Sequence, residues 1–306
     1  GDVLLARNIE QLIRRNGPSY PFINLTSIFN NAPTVIGNFE SAILQSHIPT
    51  PAYVTTFSTD VTLLPHLTEA GFTNLSLANN HSFDYGADTF IHTVESLTAA
   101  NLSPLGHPQN STSSLTTTFT SGDYTIGMLA LNQVFTTLPW PAIEESLVEL
   151  ENTSDYQVAY IHWGDEYVLK HNQTQEDTAK RLIDLGIDAV VGHHPHVTQD
   201  IAVYNGRPIF YSLGNFLFDQ YFSVDVQQGL VLRLTLATSS AEFTLVPISS
   251  EGALSQPRFM PEPDAALFLK NLARRSDPMI ASDIAQGKLI LPVNLATYPQ
   301  NGMIAP

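Results

Sequence analysis

The first two thirds of the chain alternate short apolar runs with amphipathic segments. The runs at residues 157–161 and 187–191 have the length and composition of strands buried on both faces. The segment 87–100 repeats apolar positions at helical spacing, and Gly71 follows a second such segment where a helix would end. The same pattern predicts helices at 9–15, 63–70, 139–151, 175–185 and 264–274, and strands at 3–5, 34–36, 72–77, 125–131, 230–236 and 242–248.

The alternation of strands and helices predicts an α/β fold. From Gly229 onward the pattern is mainly that of strands, and the Ser/Thr-rich residues 110–120 are predicted to form a loop. The sequence shows no internal repeat and no composition break that would mark a linker. We therefore predict one domain over residues 1–250, with residues 251–306 forming a C-terminal helical extension packed on it.

Charge and composition narrow the class of partner. The 306-residue chain carries 13 basic and 29 acidic side chains, a net charge of −16, so we expect no nucleic-acid partner. Cysteine is absent, which excludes thiolate metal ligands and disulfides. No apolar run could span a bilayer and no signal peptide is visible, so we expect any export segment to lie outside this sequence.

Polar side chains of metal-binding type lie next to the predicted strand ends. Three of the ten histidines, His193, His194 and His196, follow the run 187–191, and Gly192 is expected to break that strand. In an extended segment His194 and His196 point the same way, so one ion or an ion pair can reach both. The other candidates are Asp2, Asn38, Glu40, Asn80, His81, Asp84 and His162.

These side chains come from separate loops that meet at one edge of the predicted sheet. Carboxylate, amide and imidazole ligands suit Mn, Zn or Fe, and a carboxylate can bridge two ions. The sequence therefore predicts one or two divalent metal ions at this edge. The alternative is a polar turn in which the histidines are hydrogen-bonding surface residues.

Six motifs around these residues resemble a known family. They are Gly1-Asp2, Asn38-Phe39-Glu40, the stretch from Ala78 to Gly86, the stretch from His162 to Tyr167, Gly192-His193-His194-Pro195-His196, and the stretch from Tyr211 to Phe216. Together they are similar to the CapA family of poly-γ-glutamate capsule biosynthesis proteins, a branch of the calcineurin-like metallophosphatase superfamily. The resemblance implies a metallophosphatase-like four-layer sandwich, with two mixed β-sheets face to face and helices outside. It also implies an extracellular or cell-envelope location.

The resemblance further implies roles for individual residues. His81 would protonate the leaving group, and Asp84 would orient the imidazole of His81. The implied metal ligands are Asp2, Glu40, Asn80, His162, His194 and His196.

Two positions depart from the superfamily pattern. Leu4 stands where a histidine usually follows the first aspartate, and Asn38 stands where a bridging aspartate is expected. Glu40 could supply that carboxylate instead. The departures remove ligands from one ion and weaken the expectation of a complete two-metal site.

Several of these residues also have simpler explanations. Asp84 could cap the following helix, and Glu40 could be a solvated loop carboxylate. Asp165 and Glu166 form an acidic pair that is usually surface in an acidic protein. Trp163 could either pack in the core or line a substrate groove.

Three functions are compatible with this sequence. The first is an accessory role at the cell envelope in the synthesis or export of poly-γ-glutamate, with the anionic polymer and membrane synthase subunits as partners. The second is a metal-dependent hydrolase of phosphoester or amide bonds, and the third is a non-catalytic binding protein on the same fold. The pair His81 and Asp84 favours a catalytic function, whereas Leu4 in place of a histidine ligand favours binding without catalysis. We predict the first function with a metallophosphatase-like metal site, and whether the protein is an enzyme stays open.

Overall fold

The structure is a computed structural model that describes residues 1–29, 32–293 and 295. Its strands are β1 Asp2–Val3, β2 Ile36–Phe39, β3 Asn74–Ser76, β4 Ser103–Leu105, β5 Thr116–Ser121, β6 Tyr124–Asn132, β7 Tyr156–His162, β8 Ala189–His193, β9 Ile201–Tyr204, β10 Arg207–Phe210, β11 Asn215–Leu217, β12 Gln228–Ala237, β13 Ser240–Ser249, β14 Arg258–Phe259 and β15 Lys288–Pro292.

Eight α-helices are present among the described residues. They are α1 Arg7–Asn16, α2 Leu25–Phe29, α3 Leu64–Ala70, α4 Ala87–Ala99, α5 Trp140–Thr153, α6 Gln173–Asp184, α7 Glu262–Arg275 and α8 Ala281–Ala285. Short 3-10 helices lie at Tyr20–Phe22, Val61–Leu63, Thr112–Ser114, Asp225–Gln227 and Pro278–Ile280. None of the described helices combines the length and apolar character that a bilayer-spanning segment requires.

Two sheets carry the site. The first has five parallel strands in the order β11-β1-β2-β3-β4. The second is mixed, in the order β5-β6-β7-β8-β10-β9, and its edge strands β5 and β9 are antiparallel to their neighbours. A third, antiparallel sheet contains β12, β13, β14 and β15.

Helices cover the outer faces of the first two sheets. Apolar side chains of α1 to α4 pack with Val3, Phe39 and Leu75 of the first sheet. Side chains of α5 and α6 pack with Ala159 and Ile161 of the second sheet. The predicted fold class is confirmed as an α/β sandwich of two sheets between helical layers.

The first sheet corrects one detail of that prediction, because its described strands are all parallel rather than mixed. Each connection from β1 to β4 crosses over through helices, which is the connection that parallel neighbours require.

Most predicted helices and strands occur close to their predicted positions, and Gly71 does end α3, in the left-handed conformation. The predicted loop at 110–120 is wrong at its C-terminal end, where Thr116–Ser121 pairs with β6. β-branched threonines suit such an edge strand. Gly192 does not break β8 but lies inside it. A Cβ at this position would lie 2.0 Å from the Tyr211 carbonyl oxygen, so the close approach of the two backbones requires glycine.

The region after residue 250 contains more than helices. β14 and β15 both pair with β13, and α7 packs its apolar side chains in the same cluster as Phe243 and Leu245. The division into residues 1–250 and 251–306 stays a prediction, and its part from residue 296 onward lies outside the described residues.

Candidate metal and catalytic site

Successive side chains of a strand point to opposite faces of the sheet, and this alternation places the site residues in the layer between the two sheets. Along β7, Ala159 and Ile161 face α5 and α6, whereas Val158 and Tyr160 face the opposite side. His162, the last residue of β7, continues that second face because successive strand residues alternate. The apolar inner face of β7 therefore ends in an imidazole.

Asp2 enters the same layer from the first sheet. β1 lies between β2 and β11, and Asp2 is fully buried opposite Asn38 and Asn215. Its Oδ2 lies 3.3 Å from His196 Nδ1, so its carboxylate lies at the edge of the sheet where the histidines lie. Burial alone would raise the pKa of Asp2, but the imidazoles of His193 and His196 outweigh burial and hold it well below its usual range.

The Asn38 amide connects the other polar side chains of this layer. Its Nδ2 lies 2.8 Å from Asp2 Oδ1, 3.0 Å from Glu40 Oε1 and 3.0 Å from His162 Nδ1. Asn38 therefore stands where the superfamily pattern has a carboxylate and acts here as a donor that fixes two carboxylates.

Glu40 is buried completely, so the interpretation as a solvated loop carboxylate is wrong. Burial and the neighbouring Asp2 carboxylate raise the pKa of Glu40 well above its usual range. Its Oε2 has no hydrogen-bond partner and lies 3.9 Å from His196 Nε2. The buried carboxylates of Asp2 and Glu40 have oxygens within 4.8 Å of each other, so they repel unless a proton or a cation lies between them.

A tight turn after β3 presents Asn80 and His81 to this cluster. The Asn79 side-chain oxygen accepts hydrogen bonds from the backbone N–H groups of His81 and Ser82, which closes the turn. Asn80 Oδ1 then lies 2.7 Å from His162 Nε2. Burial, followed by the nearby His194, lowers the pKa of His162 well below its usual range, so its imidazole is in the neutral form that ligates metals.

His194 and His196 lie on a strained turn. Both adopt left-handed backbone conformations, with φ angles of 97° and 57°, which cost energy for non-glycine residues. The ring centroids of His194 and His162 lie 4.7 Å apart, and His196 Nδ1 lies 3.0 Å from Asn215 Oδ1. Such strain persists where surrounding contacts hold it, and it is frequent at functional sites.

His81 forms a dyad with Asp84 beside this cluster. His81 Nδ1 lies 3.0 Å from Asp84 Oδ2, and that oxygen also accepts a hydrogen bond from the Phe57 backbone N–H at 2.7 Å. The Phe57 ring stacks on the imidazole with centroids 4.1 Å apart. With Nδ1 held by Asp84, Nε2 points toward Glu40, whose Oε2 is 4.0 Å away.

The donor set fits a divalent metal. Asp2 Oδ2, Glu40 Oε2 and His194 Nδ1 are buried polar atoms without hydrogen-bond partners, which is costly unless an ion or water satisfies them. One set of ligand atoms, all within 4.8 Å of one another, comes from Asp2, Glu40 and His162. We call these three residues the inner centre.

All eight predicted site residues lie in one contiguous cluster, and none is placed elsewhere. The contacts described above join Asp2, Glu40, Asn80, His81, Asp84, His162, His194 and His196. Their roles as ligands or as catalytic groups stay predictions.

Two residues outside the implied ligand set, His193 and Glu166, also lie at the site. His193 is fully buried with Nδ1 3.6 Å from Asp2 Oδ1, and alternation from Val191 could have placed it on the inner face. Glu166 joins His194 and His196 in a second set of ligand atoms within 4.8 Å of one another. No sequence signal separates Glu166 from its acidic neighbour Asp165.

Asp84 and Trp163 have contacts that decide between their alternative roles. Asp84 does not cap α4. The N-cap residue of that helix is Gly86, and the helix has no side-chain cap. Trp163 is buried, and its indole N–H donates to the Tyr211 carbonyl, so it packs in the core. Leu4 is likewise buried in the apolar core that faces the helices.

Comparison with known proteins supports the resemblance seen in the motifs. Residues 1–220 match the family model described as bacterial capsule synthesis protein PGA_cap. The chain is 30% identical to the capsule biosynthesis protein CapA of Bacillus anthracis over 94% of this chain and 73% of that protein. It is 29% identical to the PGA biosynthesis protein CapA of Bacillus subtilis over 96% of this chain and 81% of that protein.

A solved structure also shares similarity with the chain. The crystal structure of a hypothetical protein from Thermus thermophilus superimposes with a TM-score of 0.48 and 19% sequence identity. The alignment covers 84% of this chain and 94% of that protein.

Proposed function

The chain belongs to the bacterial capsule synthesis protein PGA_cap family, and we propose that it acts in capsule polymer synthesis as a metal-dependent hydrolase. The proposed substrate is an anionic polymer such as poly-γ-glutamate, cleaved at an amide bond, or a phosphoester of the same pathway. The observation that carries the proposal is the His81–Asp84 dyad directed at the buried carboxylate of Glu40. A binding site alone needs no oriented acid beside its ligands.

The inner centre is the proposed metal-binding part of the site. Asp2, Glu40 and His162 would hold the ion, and the side-chain oxygen of Asn80, which lies beside His162, would be a further neutral ligand. A divalent ion bound there would polarise the carbonyl or phosphoryl group of the substrate as a Lewis acid.

The protein's own groups perform the proton transfer. Asp84 accepts the hydrogen bond from His81 Nδ1–H, orients the ring and stabilises by charge the imidazolium that donates its Nε2 proton to the leaving group. The Phe57 ring stacked on His81 limits the rotation of the imidazole, and the Phe57 N–H fixes the Asp84 carboxylate. General acid catalysis by such a positioned group contributes roughly 10²–10⁴-fold to rate.

The proposed location is the cell envelope or the extracellular space. Two of its relatives carry names that place them in capsule or PGA biosynthesis. The net charge of −16 repels an anionic polymer, so a polymer would have to bind at a local cationic site such as a bound metal. Membrane synthase subunits are the proposed protein partners.

A second candidate function is polymer binding without hydrolysis. Its support is the reduced ligand set, because Leu4 packs in the apolar core and Asn38 supplies an amide donor in place of a carboxylate. In that case the ion would only anchor the anionic chain.

One experiment separates the two functions. Protein loaded with Mn²⁺ is incubated with poly-γ-glutamate and with p-nitrophenyl phosphate, and products are measured for wild type, His81→Asn and His66→Asn. His66 is the control because it pairs with Glu69 on the surface of α3.

We expect His81→Asn to lose roughly 10²–10⁴-fold in turnover while its metal content stays unchanged, and His66→Asn to match wild type. Binding of the polymer by wild type with no turnover of either substrate would replace hydrolysis with the accessory function. Loss of metal together with turnover in His81→Asn would make His81 a ligand.

A further inference from the structure

Arg7 places a guanidinium beside the His81–Asp84 dyad. Its Cζ lies 4.5 Å from the centroid of the Phe57 ring, and the His81 imidazole stacks on the same ring with centroids 4.1 Å apart. The side chains of Arg7 and His81 are each 13% exposed, so solvent reaches both. At most one aromatic ring therefore separates this cation from the proposed proton donor.

Several contacts hold the guanidinium in one orientation. Its Nη2 donates to the Asp219 carboxylate, which also accepts a hydrogen bond from the Asn8 backbone N–H at 3.2 Å. The Arg7 Cζ also lies 5.8 Å from the centroid of the Phe218 ring. The Arg7 backbone is left-handed, with a φ angle of 53°, a conformation that surrounding contacts must maintain. A guanidinium held over aromatic rings presents its N–H groups in fixed directions.

The ion pair with Asp219 does not use all the donors of Arg7. A guanidinium has five N–H donors, and Nε is buried without a hydrogen-bond partner among the described residues. A buried donor without a partner is unfavourable. The chain carries 13 basic and 29 acidic side chains, so an anionic group needs a local cation to hold it at the site.

The chemistry of a γ-linked glutamate polymer fits a cation at this position. In that polymer the carbon bonded to the amide nitrogen also carries the free carboxylate. The nitrogen is the leaving atom that His81 would protonate, so a cation beside His81 faces the position of the carboxylate. In an α-linked polymer the free carboxylate is two methylene groups further from the nitrogen.

We propose that Arg7 binds the free carboxylate beside the leaving nitrogen of a γ-linked glutamate polymer and thereby selects γ-linked over α-linked chains. The proposal rests on the proposed function, because it places the amide nitrogen of the substrate at His81. Arg7 contributes binding and not proton transfer, since a guanidinium stays protonated.

The test compares variants of this ion pair with a matched control on the same helix. Arg7→Gln removes the cation, and the double variant Arg7→Gln with Asp219→Asn leaves no buried unpaired carboxylate. Asp219→Asn alone keeps the cation and removes its partner charge. Arg14→Gln is the control, because it also removes one positive charge from α1, but the Arg14 side chain is 60% exposed and pairs with Glu10.

Affinities of the Mn²⁺-loaded proteins for γ-linked and α-linked tetraglutamate are measured by calorimetry. Circular dichroism checks the folding of each variant, and mass spectrometry counts its bound ions. The peptides recovered after each titration are analysed by mass spectrometry, so that binding and cleavage are recorded separately.

We expect wild type and Arg14→Gln to bind the γ-linked peptide roughly 10–100-fold more tightly than the α-linked peptide, the contribution of a hydrogen bond between charged groups. The double variant and Arg7→Gln should lose this preference without losing metal. Asp219→Asn should keep the preference, because the cation remains.

The same preference in wild type and in the folded double variant would overturn the proposal. Equal loss in Asp219→Asn and Arg7→Gln would also overturn it, since the ion pair would then act only on structure. Cleavage of the γ-linked peptide without a preference that depends on Arg7 would refute this role and leave the proposed function standing. A preference that depends on Arg7 without any cleavage would support the carboxylate contact and refute hydrolysis.

Discussion

The layer between the two sheets has two ends that differ in chemistry although the same strands build both. At one end, where the strands finish, lie the two carboxylates and the imidazole of the inner centre. At the other end an apolar cavity of about 640 Å³ is lined by Ile36, Met128, Val158, Tyr160, Val191 and Phe216, among others. On β7 the two ends are only a few residues apart, from Val158 to His162.

This comparison shows how stability and function are divided within one layer. The apolar end removes hydrocarbon from water and stabilises the fold. The polar end holds buried carboxylates, partnerless polar atoms and left-handed histidines, each of which costs stability in the metal-free protein. The fold therefore tolerates the polar end because other regions stabilise it, and a bound ion would remove part of the cost.

The largest effect is expected from moving polar chemistry to the apolar end. Val158→Asp puts a carboxylate on the same face of β7 as His162, but within the apolar cluster that contains Met128 and Val191. We expect a loss of about 3–5 kcal/mol in the free energy of unfolding, measured by urea denaturation. His162→Ala is the matched control and should change the stability of the metal-free protein much less. Equal losses would mean that the two ends do not differ in this way.

Adding metal should change the polar end alone. At a free Zn²⁺ concentration 100 times the dissociation constant, one bound ion should stabilise the protein by about 2.7 kcal/mol. Denaturation with Zn²⁺ and with a chelator measures this difference. The double variant Asp2→Asn with Glu40→Gln should show almost none of it. A wild type whose stability ignores Zn²⁺ would contradict the inner centre.

Removing one carboxylate should stabilise the metal-free protein. The raised pKa of Glu40 means that its contribution to stability is complete below its ordinary pKa of 4.5 and is lost as pH rises through the folded-state value. Glu40→Gln removes this loss, so its advantage over wild type should grow with pH. Denaturation at pH 5 and pH 8 checks the trend. An advantage that shrinks with pH would contradict the assigned direction.

The smallest expected effect comes from filling the apolar end. Ala189 lines the cavity, and Ala189→Leu should stabilise the protein by about 0.5–2 kcal/mol. Ala130 is the matched control, because it already packs tightly between Ala78 and Gly106. Ala130→Leu should cost about 1–3 kcal/mol through overpacking. Thermal unfolding of both variants tests this difference, and equal changes would speak against it.

The sequence predicts the polar end better than the rest of the layer. Histidines directly after the apolar runs of β7 and β8 mark the edge where the ligands meet, and Asp2 lies at that edge as predicted. Strands of three residues, such as β4 and β11, have no periodicity of their own and exist because neighbouring strands pair with them. Such elements are not visible in a single sequence.

Tertiary contacts decide the positions of two acidic residues whose surroundings the sequence leaves open. Glu166 looks like any exposed acid until the hydrogen bond from Tyr167 to Pro195 brings its loop against the histidines. Glu40 follows β2 directly and could have faced solvent, but it is buried completely and lies 3.9 Å from His196. Both outcomes depend on residues that are distant in sequence.

The central claim is that the inner centre binds a divalent metal. The most direct test is a crystal of the protein soaked in Zn²⁺ and measured at the zinc absorption edge. We predict an anomalous difference peak about 2.0–2.2 Å from an oxygen of Asp2, an oxygen of Glu40 and a nitrogen of His162. A map with no peak among these three residues, or with peaks only on the surface, would contradict the claim.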